Sequence, residues 1–91
     1  MFDWGRIPAR VSHFLLERLD DELLLYHPGL TKTIHLNEPA SLIWELCDGQ
    51  RSAQEIADLL AEAYPDEGPR VVKDVETTLT RFLTEGALEF R

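Results

Sequence analysis

The chain has 91 residues, which limits it to one domain with a single modest core and little room for a deep catalytic cavity. Its formal net charge of -8 argues against nucleic acid, whose phosphates are held by Lys and Arg, and against docking on an anionic membrane surface. A hydrophobic fraction of 44% with 29% charged residues excludes wholesale disorder, and the longest apolar run, Leu23–Tyr26, falls far short of the ~20 residues of a membrane helix.

Along the chain, residues 1–10 contain Gly5 and Pro8 and carry little periodicity, so they read as a flexible arm ahead of a domain over 11–91. Met1–Arg6 lacks the basic start, apolar stretch and cleavage site of a signal peptide, and the expectation is a cytoplasmic protein. Val11–Leu19, Glu22–His27 and Thr31–Leu36 are rich in aliphatic, aromatic and β-branched residues. Asp20-Asp21 and Pro28-Gly29 separate them as turns, which predicts an antiparallel meander of three strands.

After Asn37 the period becomes helical. Asn37 is the expected N-cap, Glu38-Pro39 the first turn, and Leu42, Ile43, Leu46 and Cys47 the apolar stripe, with Gly49 as the stop. Trp44 sits one residue off that stripe and is read as capping the core. Ser52 and Glu55 form a capping box that opens a second helix burying Ile56, Leu59, Leu60 and Ala63. After Pro65–Pro69 a third helix, about residues 70–85, buries Val72, Val75, Leu79 and Phe82, and Gly86 leads to a short closing strand over 87–90. The fold class is therefore α+β: a three-stranded antiparallel sheet followed by a three-helix bundle, winged-helix-like in its tight helical turns.

Leu23-Leu24-Leu25-Tyr26, Leu36-Asn37 with Ala40, Leu46-Cys47-Asp48-Gly49, Glu55-Ile56, and Asp74-Val75 with Leu79 and Leu83 form an ordered series over about three-quarters of the chain. This series resembles the PqqD-like family, named for the peptide chaperone of pyrroloquinoline quinone biosynthesis, and the wider recognition domains of ribosomally made, modified peptides. It departs from the family at His27-Pro28-Gly29, where Pro-Glu is expected directly after the tyrosine. The resemblance implies a domain without catalytic activity or cofactor. Such a domain binds the leader of a precursor peptide as an added strand on the third β-segment, beside the third helix. It then presents the leader to a modifying enzyme, often a radical S-adenosylmethionine enzyme, or to a leader peptidase.

The residues are compatible with that role. Thr31–Leu36 is an outer strand with no proline or glycine and one charge, Lys32, so its backbone is open to pairing. Lys32, Ile34 and Leu36 share one face; Thr31, Thr33 and His35 share the other. Arg70, Lys73, Thr77 and Arg81 recur at three- and four-residue spacing and make a basic stripe that, with Lys32, attracts acidic peptide residues. Ile34, Val75, Leu79 and Phe82 are the candidates for lining the groove between strand and helix. An added strand buries far less than the ~1,600 Å² of a standard interface, so affinity leans on a few anchors and is expected in the micromolar range, roughly -8 to -9 kcal/mol.

Other chemistries lack their residues. His13, His27, His35 and Cys47 follow no metal-ligand spacing, and Cys47 lies near a helix C-terminus among Glu45 and Asp48, a setting for packing rather than nucleophilic attack. No carboxylate pair with an evident cleft around it and no glycine-rich phosphate loop can be read in the sequence. The alternative is a winged-helix DNA-binding regulator. It needs a basic recognition helix, whereas residues 38–67 hold eight acids against one base, Arg51.

Overall fold

The computed structural model describes residues 1–20, 22–30 and 32–91. Among them the expected order stands: an antiparallel sheet of three strands, then three helices. The sheet runs β2 (Leu15–Leu19), β3 (Glu22–His27) and β4 (Lys32–Leu36) in spatial order, and β1 (Pro8–Arg10) lies apart from it. Asp20 takes a left-handed φ of 52°, as the two-residue connection between the paired residues Leu19 and Glu22 requires.

Cross-strand partners share a face. Leu25 pairs with Ile34 and Leu23 with Leu36, and all four are buried against the helices. Tyr26 with Thr33, and Leu24 with His35, look outward.

Helix α1 (Glu38–Leu46) starts where β4 ends. The Asn37 side chain accepts from the Ala40 N–H at 2.9 Å and Pro39 fills the first turn, so strand and helix meet at a fixed angle. Helix α2 (Ala53–Ala63) carries the complete capping box of Ser52 and Glu55. Helix α3 (Arg70–Thr84) ends at Gly86, φ 79°. There the Gly86 N–H donates to the Leu83 carbonyl (3.1 Å) and the Ala87 N–H to the Phe82 carbonyl (2.8 Å), a paired cap that turns the chain into β5 (Leu88–Phe90). The core joins the sheet's inner face to Ile43, Trp44 and Cys47 of α1 and its C-cap, Ile56 and Leu60 of α2, and Val71, Val75, Leu79 and Phe82 of α3. Trp44 is buried edge-on against Phe82, with ring centroids 5.3 Å apart, so it belongs to the core.

Four details differ from the sequence reading. On α3 the buried stripe is 71, 75, 79 and 82, one helical row, while Val72 lies about 100° further round and is 47% exposed. On α2, Ala53 and Ala57 are buried, whereas Leu59 and Ala63 face solvent. The first strand of the meander begins at Leu15 rather than Val11, after His13 takes a left-handed φ of 80°. Lastly, the segment read as a flexible arm ends in β1, which pairs with β5 through Pro8–Phe90, Ala9–Glu89 and Arg10–Leu88. Upstream of β1, the Trp4 and Arg6 carbonyls accept from the Gln54 and Ala53 N–H groups at the start of α2 (3.0 and 2.9 Å), taking up donors that the helix itself leaves unpaired.

Candidate peptide-binding site

The open edge of β4 and the flank of α3 form the candidate site. Among the described residues no strand lies beyond β4. The direction of its backbone follows from the hairpin. A two-residue turn makes Leu19 and Glu22 a hydrogen-bonded pair, so Glu22, Leu24 and Tyr26 bond to β2, and Leu23, Leu25 and His27 bond to β4. Their β4 partners Lys32, Ile34 and Leu36 thus point inward along the ladder, and Thr33 and His35 point outward. A second observation agrees: the Arg81 guanidinium donates to the His35 carbonyl at 3.4 Å from the α3 side.

Between this edge and α3 lies a trough of about 470 Å³, lined by His35, Leu36, Asn37, Glu38, Ala40, Thr78 and Arg81. Buried residues on both sides set its width. Ile34 and Leu36 hold β4 to the core, and Val75, Leu79 and Phe82 hold α3.

The predicted site residues separate into groups. Thr31 lies outside the described residues, and Lys32 opens β4 opposite His27. Thr33 and His35 present exposed side chains and outward backbone. Ile34 and Leu36 are buried, as are Val75 and Leu79, which point into the core and support the walls from behind rather than face the trough. The basic stripe is split. Arg81 lines the trough, and Arg70 lies three turns away, 3.6 Å from Glu67. Lys73 and Thr77 are exposed and sit about 80° and 40° round the helix from Arg81, toward solvent.

Sequence reasoning passed over Glu38, Ala40 and Thr78 as site residues, and took Asn37 only as a cap. Thr78 was accessible: three residues after Val75 and four before Phe82, it borders the buried stripe on the β4 side.

No group of three or more His, Cys, Asp or Glu among the described residues is arranged to hold a metal ion. Burial pushes the Cys47 thiol up to about 12, against a smaller opposing pull from Arg10, and its S–H donates to the Ile43 carbonyl at 3.1 Å. It is a packing residue, not a nucleophile.

Comparison with known proteins assigns the chain a family. The family model described as "Coenzyme PQQ synthesis protein D (PqqD)" matches residues 22–88. The chain is 39% identical over 64 residues to the "PqqA binding protein" of Methylococcus capsulatus, covering 70% of this chain and 63% of that one. It is 44% identical over 54 residues to the "PqqA binding protein" of Pseudomonas entomophila, covering 59% and 55%. The matched stretch thus spans less than two thirds of either relative. Among solved structures, TbiB1 in complex with the TbiA(beta) leader peptide superposes with a TM-score of 0.74 at 25% identity, over 89% of this chain and 94% of that one. Lasso peptide synthetase B1 complexed with the leader peptide shares the fold at a TM-score of 0.77 and 18% identity, over 91% and 98%. With residues 22–88, about three quarters of its length, inside the family match, the chain belongs to the PqqD family.

Proposed function

We propose that this protein binds the leader segment of a ribosomally made precursor peptide as a fourth strand on β4, against α3, and delivers it to a separate modifying enzyme while catalysing nothing itself. The observation that carries this reading is the outward backbone of Thr33 and His35 on an edge whose His35 end borders a trough walled by α3. A visiting strand finds hydrogen-bonding groups there and a helix against which to bury side chains. The relatives bind PqqA, and the TbiB1 likeness holds a leader peptide, which supports a peptide as the occupant. The receiving enzyme is then one that acts on that peptide, a radical S-adenosylmethionine enzyme or a leader peptidase. No helix among the described residues is long and apolar enough to cross a membrane, in keeping with action in the cytoplasm.

The DNA-binding alternative is not supported. The net charge of -8 opposes phosphate contact, and on α3 only Arg81 of the cations lines the trough.

The test is a titration of isotope-labelled protein with synthetic PqqA and, separately, the TbiA(beta) leader. Binding at micromolar or tighter affinity is expected to shift the amides of Thr33, His35 and α3 together. Shifts confined to β2, with Thr33, His35 and α3 unmoved, would reject the site.

A further inference from the structure

The two ends of the sheet differ as much as its edges. One end holds the tight turn between Leu19 and Glu22 and the step from Leu36 to Asn37. The other gathers the starts of β2 and β4 around the end of β3, with Leu15 opposite Tyr26 and Lys32 opposite His27. There the Phe14 and His27 rings meet edge-on, their centroids 4.9 Å apart. His13, turned by its left-handed φ of 80°, brings its ring to 6.3 Å from His27. Gly29 makes room for that imidazole, since a Cβ on it would stand 3.1 Å from the His27 Cε1. Leu15, Pro28 and Gly29 complete, with the two histidines, a chiefly apolar hollow of about 350 Å³.

Charge marks the same end. The chain carries 17 acids, yet residues 10–16 and 23–37 hold none, and all three histidines lie within them. An apolar patch without acids, Leu15 being 54% exposed, is thus set into a protein whose net charge is -8.

Strand polarity ties this end to the peptide. Every strand pairing among the described residues is antiparallel. A peptide added to β4 in the same sense enters beside Leu36 and leaves beside Lys32. A leader precedes the part of the precursor that is modified, so the residues awaiting chemistry emerge at the His27 end.

We infer that the modifying enzyme docks on this end of the sheet, over Leu15 and the hollow at His13, His27 and Pro28, through a face that is apolar with an acidic rim. This rests on the β4-edge reading above. Contact here is continuous with the peptide edge and places the enzyme's entrance next to the emerging chain. The helical surface over residues 38–67, with eight acids against one base, repels such a rim. The patch is small, so the contact alone is weak. A peptide held by both proteins raises their effective concentration and tightens the complex.

Two measurements test this. A nitroxide placed on PqqA a few residues after its β4-paired segment should broaden the Leu15 and Gly29 amides more than those of Asn37 and Thr78, and one placed before the segment should do the opposite. The reverse pattern would overturn the inference. The second measurement titrates a radical S-adenosylmethionine enzyme of Methylococcus capsulatus that modifies PqqA onto the protein with PqqA bound. Leu15→Glu should weaken that complex about tenfold or more. Leu19→Glu, at a residue 51% exposed on the same strand face about 13 Å away, should leave it within twofold. Both variants should bind PqqA alone as the wild-type protein does. A complex that Leu15→Glu leaves intact, or no complex with the enzyme at all, would overturn the docking end while the edge reading stands on the PqqA titration. PqqA that leaves the β4 amides unmoved would overturn both.

Discussion

The sheet has two outer strands, and they are unlike. β4 has Ile34 and Leu36 sealed in the core and α3 alongside its open edge. All five residues of β2 are exposed, and its leucines reach solvent to 54% at Leu15, 41% at Leu16 and 51% at Leu19. Leu16 even lies on the core side, opposite Leu25, yet stays exposed because the helices do not extend that far. Both edges offer outward backbone groups, and on β4 the Arg81 guanidinium already donates to one of them, the His35 carbonyl. What distinguishes them is a wall: an added strand on β4 buries its side chains against a helix, whereas one on β2 gains only the ladder. Backbone pairing supplies the attachment, and the helix supplies the preference.

That contrast can be broken most forcefully by removing the wall. Phe82→Ala empties the centre of the core under α3 and should cost about 3–5 kcal/mol of stability, read from denaturant unfolding, with peptide binding lost as α3 detaches. Next in size is Thr33→Pro, which deletes an outward N–H of β4. Peptide affinity should fall about thirtyfold or more by calorimetry, whereas Arg18→Pro, at an outward position of β2, should leave affinity within twofold. A sharper division comes from charge. Arg81→Gln should weaken an acidic leader about threefold to tenfold and account for most of the salt dependence, and Lys73→Gln should change neither, since only Arg81 lines the trough. The smallest effect belongs to the opposite edge: Leu15→Lys with Leu19→Lys should leave peptide affinity unchanged while raising the concentration at which the protein precipitates. Lost affinity in that double variant would contradict the assignment of the site to β4.

Much of this was legible in the sequence because the signals are local. Asn37 with Pro39, Ser52 with Glu55, and Gly86 each act within a few residues, and each marks the helix boundary it was read to mark. The edge strand was legible for the same reason. The strand at Pro8–Arg10 was not, because its partner β5 lies at the other end of the chain and three residues leave no period to detect. On α3 Val72 was read in place of Val71 because the two are chemically alike, and only the direction each faces relative to the core separates them. Following the helix's cations at three- and four-residue spacing then took in Lys73 and Thr77 and passed over Thr78, which borders the trough.

The pairing of β1 with β5 has a mechanical consequence. Pro8 lies opposite Phe90, and Arg91 exchanges backbone bonds with Ile7 (2.8 Å from the Arg91 N–H, 3.5 Å from the Ile7 N–H). Both chain ends therefore leave this small ribbon on the same side. Tension between them loads its bonds one after another, like a zipper, rather than all at once in shear. A tethered partner that tugs on the two ends would first strip the Trp4 and Arg6 bonds to α2 and then peel these strands, and β4 with its helix would feel the pull last.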